Sequence, residues 1–422
     1  MRRTCAFLVV ISSVFWLTAR ANTESPLVVH EWGTFTSLQS ESGSAISRID
    51  KAVEPLPPFV VNLIPDASVI SKGDPQTDSM SDSVTMRLET PVVYFHLPPG
   101  SAPMKLSFSA QFNGGLLSQY YPNAFATPTR AYVPQKIDGS TRGTLEWNDI
   151  TIGMPATLTQ TDSQVWLAPR KVDSADVTNS QGQSERYLFY RGVGHLDAPI
   201  SVVRRNDTLQ IYRESAETKI ETLWYFDVRT DGTSAFRKLS AEGANSPTGM
   251  IAATSANFAP DEYRADAMSS LRSDMKQSLI NAGLFDDEAE AMLNTWENAY
   301  FKSCGSRVFF IVPRTWTDAH LPIKVSVPAK IERVMMGRID LVTPRQRAIA
   351  TQLLRDPATP NFAGMITELG RFSGAIMNDT AMLLRDQAGI PRNAPPRSIA
   401  ANPSARARQD DSAVVPTPQE RE

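Results

Sequence analysis

The chain has few of the residues that build covalent or metal-centred sites, since its 422 residues include two cysteines and four histidines. Cys5 lies in a segment that we expect to be removed, which leaves Cys304 without a disulfide partner and excludes a Cys-based zinc or iron–sulfur site. Cys304 is either a nucleophile or, as its place before Gly305 favours, a small buried residue. The chain also lacks a P-loop, a dinucleotide fingerprint and a Gly-x-Ser-x-Gly motif.

An excess of charge of one sign is also missing. There are 42 Lys and Arg and 45 Asp and Glu, which gives a formal net charge of −3. The charge becomes −6 if residues 1–21 are removed, because they carry three arginines and no acid. No strongly basic surface is indicated, so nucleic acid is not an expected partner. Apolar residues make up 41% and charged residues 21%, which favours a packed core.

The N-terminus has the pattern of a Sec-type signal peptide. Arg2 and Arg3 precede an apolar run over residues 6–17, which is too short to cross a bilayer comfortably. Ala19-Arg20-Ala21 is a small-x-small cleavage site, so we predict that residues 1–21 are removed. The alternative is a membrane anchor. No later run is long and apolar enough to span a membrane, so we expect a soluble periplasmic or extracellular protein.

The rest of the chain divides into three parts. Residues 22–243 contain short alternating runs between Gly- and Pro-rich turns, which predicts an antiparallel, sandwich-like part. Residues 244–388 add apolar residues at helical spacing, which predicts a mixed helix and strand part packed against the first. Residues 389–422 hold six prolines and few large apolar side chains, which predicts a disordered tail. The expected fold class is therefore α+β and β-rich.

His30-Glu31 invites comparison with zinc hydrolases, whose motif needs a second His four residues after the first, on a helix. Position 34 is Thr, and residues 27–36 have the pattern of a strand, so this interpretation fails. On a strand, Glu31 shares one face with Phe35 while His30 lies on the other. A carboxylate among apolar side chains needs a partner, so Glu31 is either functional or half of a buried ion pair.

Glu89 raises the same question. It precedes Pro91, which removes a ladder hydrogen bond, so this strand is an edge strand or bends there. The bend could aim Glu89 into a cleft, or Glu89 could face solvent beside Arg87. An unpaired buried charge costs several kcal/mol, so we expect at least one buried acid–arginine pair to join the two parts of the chain. The candidates for that pair are Glu31, Glu89, Arg191, Arg314 and Arg338.

Two polar segments at strand ends are candidate binding sites. Arg191 is followed by Gly192 and Gly194, where the missing side chains let the backbone approach a ligand or another strand. Residues 314–320 combine charged groups with a Trp after an apolar run. The candidate ligand-binding residues are His30, Trp32, Arg191, Arg314, Trp316, Asp318 and Arg338.

Neither a metal nor a cofactor is predicted. A metal site could be assembled from the four histidines with Glu31, Glu89, Asp197 or Asp318, but no pair of these residues has a ligand spacing. The histidines concerned are His30, His96, His195 and His320.

Several of these stretches together resemble a family of exported bacterial proteins that carries a VHEWGTFTS motif, which is found here at residues 29–37. The resemblance covers nearly all of the chain between the signal and the tail. It implies export but no particular activity or cofactor. The family has Asn where this chain has His195, which weighs against a role for that residue. The other stretches that carry the resemblance are residues 54–60, 89–95, 188–194, 312–318, 336–338 and 341–344.

The leading expectation for function is an exported protein that binds an unknown ligand or an envelope component. The rival is an envelope hydrolase that uses Glu31 and Glu89 as a carboxylate pair, with Arg191 or Arg314 holding an anionic group. A separation of about 5–10 Å between the two carboxylates in an open cleft would favour the enzyme. Burial of both carboxylates in ion pairs with arginine would favour a structural role.

Overall fold

The computed structural model describes residues 27–50, 55–64, 80–241 and 248–390. The predicted signal peptide and residues 391–422 of the predicted tail lie outside these ranges. No helix in the described ranges combines the length and the apolar character needed to cross a membrane.

The described residues form a mixed α+β fold that is rich in β-structure, as the sequence predicts. The first strands are β1 (Val28–Gln39), β2 (Val61–Asn62), β3 (Met86–His96), β4 (Met104–Asn113), β5 (Gly115–Tyr121), β6 (Phe125–Thr127), β7 (Arg142–Ile152), β8 (Val177–Thr178), β9 (Ser184–Glu185) and β10 (Leu188–Gly194). The later strands are β11 (Ile200–Arg205), β12 (Thr208–Arg213), β13 (Thr222–Val228), β14 (Ser234–Ser240), β15 (Met250–Ser255), β16 (Gly305–Ile311), β17 (Ile323–Val325) and β18 (Lys330–Leu341).

The α-helices of the described ranges lie mostly in the C-terminal part. They are α1 (Gln164–Leu167), α2 (Ala267–Asn281), α3 (Asp286–Thr295), α4 (Arg314–His320), α5 (Pro344–Arg355), α6 (Phe362–Leu369) and α7 (Ser373–Gln387). A π-helical turn, Glu297–Lys302, follows α3 directly. Shorter 3-10 turns are Arg130–Tyr132, Pro169–Lys171 and Pro260–Glu262.

Most strands join one large sheet, with the order β14-β13-β16-β18-β1-β3-β10-β5-β7-β4-β17. The strands β11, β12 and β15 form a second, three-stranded sheet. The pairings are mainly antiparallel, but β1 and β18 run parallel along twelve residues each. Both are almost wholly buried, as is usual for parallel strands with both faces covered.

The two predicted parts are more closely joined than the sequence analysis expects. Strands β16 and β18 come from the C-terminal part, yet they are hydrogen-bonded inside the large sheet between β13 and β1. They therefore continue the N-terminal sheet instead of packing on it. The physical reason is that β1 has backbone hydrogen-bonding groups along both of its edges. A buried apolar strand from later in the chain pairs with the groups on one edge.

Several short sequence patterns have the local structure that is typical of them. β11 and β12 form a hairpin around Asn206, which adopts a positive φ, and β13 and β14 form another that turns at Gly232. Thr343 caps α5 in a capping box with Gln346, and Pro344 occupies the first helical position.

The hydrophobic core consists of separate clusters on the two faces of the large sheet. On one face, α2, α3 and the π-helical turn pack their apolar side chains against the large sheet, with Trp32, Trp224 and Trp296 in the contact. The opposite face carries a second cluster that includes Phe35 and Phe112. The apolar side chains of α3, such as Met292, belong to the cluster that contains the three tryptophans. A third cluster lies beneath α5, α6 and α7.

Candidate functional site

The motif strand β1 presents its side chains alternately to the two faces of the sheet. Its pairing with β3 shifts register between Trp32 and Thr34, where β3 contains Pro91. A Cβ on Gly33 would lie 2.9 Å from the Cα of Pro91, so only glycine fits beside this bulge. β3 thus bends at Pro91, as one of the two predicted alternatives has it, but it is a central strand and not an edge strand.

Glu31 is fully buried in an ion pair. Its carboxylate accepts hydrogen bonds from Arg333 on β18 and from the Tyr190 hydroxyl on β10. Arg333 also donates to Asp318 at 2.7 Å and to the Leu321 carbonyl at 2.7 Å. The carboxylate is therefore compensated from two sides and faces no open space, which is the structural alternative for Glu31.

Glu89 is buried in a second network. It accepts hydrogen bonds from Thr36 at 2.8 Å, from Arg87 at 3.0 Å, and from Tyr300 and Arg371. Burial by itself raises the pKa of Glu89, but the two guanidinium groups outweigh burial and hold the pKa well below its usual value. Glu89 therefore stays ionised and neither faces solvent nor enters a cleft.

Glu31 and Glu89 do not form a catalytic pair. Glu31 shares its sheet face with Phe35, whereas Thr36, which donates to Glu89, points to the opposite face. Each carboxylate is bound to its own arginine beneath the surface. The geometry required for an acid and a base acting on one substrate is therefore not present between these residues.

The expected acid–arginine pairing occurs, but with different arginines. Arg333 lies opposite Glu31 in the parallel register of β1 and β18, and Arg371 reaches Glu89 from the segment between α6 and α7. Both bonds join the N-terminal part to the C-terminal part, as predicted. Arg314 instead pairs with Asp318 at 2.8 Å on the exposed side of α4.

Arg338 is fully buried and finds its acid two residues away. It donates to Asp340 at 2.6 and 2.9 Å and to the Ala299 carbonyl at 2.8 Å. Its guanidinium also lies 4.4 Å from the centre of the Tyr300 ring. These contacts fix the π-helical turn against β18, so Arg338 has a structural environment and not a ligand-facing one.

The glycines after Arg191 admit a neighbouring strand. A Cβ on Gly192 would lie 2.7 Å from the Leu116 carbonyl oxygen, and one on Gly194 would lie 2.8 Å from the Phe112 ring. The close approach is therefore between β10, β5 and an aromatic side chain, which settles the predicted alternatives against a ligand. Arg191 itself is buried, with its guanidinium 5.7 Å from the centre of the Phe189 ring.

The remaining candidates pack against other side chains. Trp316 makes an edge contact with Phe35 at 4.9 Å and stacks on His320 at 4.1 Å. Trp32 is buried and meets Trp296 edge to face at 6.4 Å. His195 is bonded to the Ser83 carbonyl at 2.7 Å.

Two of the histidines considered for a metal site, His30 and His96, meet at Glu288, an acid that the sequence analysis does not name. His30 Nδ1 lies 2.7 Å from Glu288 Oε2, and His96 Nε2 lies 3.0 Å from Glu288 Oε1. Burial raises the pKa of Glu288, but the bonds from the two imidazoles outweigh it and lower the pKa to about 2. The only sequence signal for Glu288 is its place just after Asp286 and Asp287 at a helix start.

An open cleft of about 580 Å³ lies where β13, β16 and α5 meet. Of the residues considered in the sequence analysis, Cys304 lines it, and none of the candidate carboxylates or ligand-binding residues does. Its walls are the end of β13 with the turn after it (residues 227–231), residues 256–258 with Tyr263, Cys304 with the start of β16 (305–306), the cap and first turn of α5 (343–346), and Arg204, Tyr225 and Glu368.

The cleft carries charges of both signs. Asp227 accepts a hydrogen bond from the Tyr263 hydroxyl at 2.7 Å, and the Arg229 guanidinium lies 3.3 Å from the centre of the same ring. Burial and the bond to Asp227 raise the pKa of Tyr263, so the hydroxyl remains a donor. Arg345 donates to Glu368 at 2.6 Å.

Cys304 lies on the cleft wall and is partly exposed. Burial and the nearby Asp227 raise the pKa of its thiol, which makes the thiolate scarce at neutral pH. A thiol with a raised pKa is a poor nucleophile, so the non-catalytic interpretation of Cys304 is favoured.

Comparison with known proteins adds no family assignment: no protein-family model matches the chain, and no curated protein matches it.

Proposed function

We propose that the protein is an exported binding protein that holds a small polar molecule in the cleft between β13, β16 and α5. The observation that carries this proposal is the cleft itself, whose volume of about 580 Å³ lies in the range of small-molecule sites. Aromatic side chains and polar groups converge on it, which is the usual composition of such sites.

The charges of the cleft favour a ligand that has both a cationic and an anionic group. Three arginines and three acids line the space, and of these Arg345 and Glu368 pair with each other. The other two arginines and two acids favour a ligand with groups of both signs, because a ligand with a single strong charge would face side chains of its own sign. Amino acids and short peptides have the required chemistry. The residues concerned are Arg204, Arg229, Arg345, Asp227, Asp231 and Glu368.

A thermal-shift experiment with a panel of amino acids, dicarboxylates and diamines tests the proposal. A ligand present at 100 times its Kd stabilises the folded state by about 2.7 kcal/mol, so a member of the zwitterionic group should raise the Tm. Thr230→Trp should abolish the shift, because Thr230 is exposed at the cleft wall and an indole there occupies the space.

Thr315→Trp is the matched control, because Thr315 is exposed on α4 and does not line the cleft. Equal shifts in both variants, or a response to dicarboxylates alone, would contradict the proposal. Native mass spectrometry of protein purified from its own host gives an independent check through any small molecule that co-purifies.

Export to the periplasm or the cell exterior is proposed from the sequence of residues 1–21. Mass spectrometry of the protein from its own host should show a chain that begins near Asn22. An intact Met1 terminus would refute the proposal.

A further inference from the structure

His30, His96 and Glu288 bring three metal-ligating side chains together at one point of the fold. One donor atom from each residue lies within 4.8 Å of the other two. His30 is 2% exposed and Glu288 is 0% exposed, so the cluster is internal. None of the three residues lines the cleft, so this site is independent of the ligand proposed there.

The sheet register explains why the two imidazoles meet. Val28 lies opposite His96 and His30 lies opposite Tyr94 in the antiparallel pairing of β1 and β3. His30 and His96 are therefore diagonal neighbours on the same sheet face, and their ring centres are 5.0 Å apart. The two ligand candidates are 66 residues apart along the chain, which is why no sequence spacing reveals them.

Glu288 is held in place by the start of α3. Its Oε2 accepts a hydrogen bond from the Phe285 amide at 2.8 Å, which fixes the carboxylate over the sheet. The Phe285 ring lies 4.5 Å from the His30 ring and 4.9 Å from the His96 ring, and it covers the cluster on the outside. An apolar cover and a bonded carboxylate are the kind of surroundings that orient ligands at metal centres.

The partners of Glu288 set it apart from the other buried acids of the β1 region. In the described part of the chain, its ion pairs are to the two imidazoles, whereas Glu31 and Glu89 are bound to arginines. A guanidinium keeps its protons and blocks a cation, but an imidazole can release its proton and offer a lone pair. A cation can therefore replace the two bridging protons of this cluster without leaving a positive side chain beside it.

The distances are close to those of a coordination shell. Tetrahedral ligand atoms with bonds of about 2.0–2.1 Å lie about 3.3 Å apart. The two bridging contacts are 2.7 and 3.0 Å, and they reach different oxygens of Glu288. An ion therefore needs an outward movement of a few tenths of an ångström at each contact, and any donor atoms that are farther apart, up to 4.8 Å, must come closer. Two imidazoles and a carboxylate form a ligand set for borderline divalent transition metals.

We propose that His30, His96 and Glu288 bind a divalent transition-metal ion of the zinc or cobalt type. The proposed ligand atoms are His30 Nδ1, His96 Nε2 and a carboxylate oxygen of Glu288. A further carboxylate lies close by in the fold, because Glu332 is the neighbour of His30 in the register of β1 and β18. The alternative is a purely structural His–Glu–His hydrogen-bonded chain.

Calorimetric titration of the full, tag-free chain with Zn²⁺ after chelator treatment tests the proposal. We expect one ion per chain with a Kd below micromolar, and Co²⁺ should give a visible absorption band typical of a tetrahedral site with nitrogen and oxygen ligands. His96→Gln should weaken binding at least 100-fold and remove the band. His96 is the safest position to change, because its side chain is 13% exposed.

His195→Ala is the matched control, because His195 lies outside the cluster and is bonded to the Ser83 carbonyl. It should bind Zn²⁺ as the unaltered chain does. Glu288→Gln provides a second test, with circular dichroism confirming that each variant is folded. Absence of binding by the unaltered chain, or equal binding by the folded His96→Gln and His195→Ala variants, would overturn the proposal in favour of the structural chain.

Discussion

His30 and Glu31 are consecutive on one strand, yet they belong to two opposite chemical environments. Glu31 faces Arg333 and Tyr190, both of which donate hydrogen bonds to its carboxylate. His30 faces Glu288 and His96, a set whose protons can be exchanged for a cation. The comparison teaches that a motif can combine a fixed structural ion pair with an adaptable polar cluster simply through the alternation of a strand.

The largest effect on stability is expected from a substitution that removes the ion pair of Glu31. Glu31→Gln should lower the free energy of unfolding by about 3–5 kcal/mol, because it leaves the buried Arg333 charge without its carboxylate. Denaturant unfolding with both variants measured in parallel gives the value. Asp318→Asn is the control, because Asp318 binds the same arginine from a half-exposed position and should cost no more than about 1 kcal/mol. Equal losses in the two variants would show that Glu31 is not the essential partner.

Glu89 provides the pH-dependent counterpart of this ion pair. Its folded-state pKa lies well below the usual 4.5, so its stabilising contribution is complete above the unfolded-state pKa and is lost as the pH falls through the folded-state value. The stability gap between the unaltered chain and Glu89→Gln should therefore be largest near pH 7 and should shrink below about pH 4. Unfolding curves at pH 7, 5, 4 and 3 measure it. A gap that stays constant over this range would contradict the assignment.

The third expected effect concerns the His30 side alone. Zn²⁺ at 100 times its Kd should stabilise the unaltered chain by about 2.7 kcal/mol, and it should leave His96→Gln unchanged. Glu31→Gln, although less stable, should still gain from Zn²⁺, because Glu31 lies on the opposite sheet face. Thermal unfolding with and without Zn²⁺ gives both differences. Loss of the zinc effect in Glu31→Gln would mean that the two faces are coupled.

The sequence predicts the strand of this motif and the division of its faces, because a period of two is a local property. It does not predict Arg333 as the partner of Glu31. That pairing depends on the parallel register of β1 and β18, which are separated by about 300 residues. Patterns of alternation carry no information on which strand lies beside which. The sequence therefore predicts that Glu31 needs a partner, but it does not predict which residue that partner is.

The cleft and the His–Glu cluster were missed for the same reason. The cleft is assembled from hairpin turns, a helix start and a strand start that no local pattern relates. Glu288 looks like an ordinary acid at a helix N-terminus, where carboxylates are favoured by the helix dipole. By contrast, the helix cap at Thr343 can be inferred from the sequence, because a capping residue and its partner are three positions apart.

The cap at Thr343 should give the smallest effect on the free energy of unfolding. It is also a control that distinguishes effects specific to the two β1 environments from a general loss of stability. Thr343 Oγ1 accepts a hydrogen bond from the Gln346 amide at 3.2 Å, so Thr343→Ala should cost about 1 kcal/mol. The hydroxyl is not titratable and is not a proposed metal ligand. The loss should therefore be the same at pH 7 and pH 4, and the same with and without Zn²⁺. If unfolding measurements show a loss that changes with Zn²⁺, then α5 is linked to the His30 face, and the separation of the two environments does not hold.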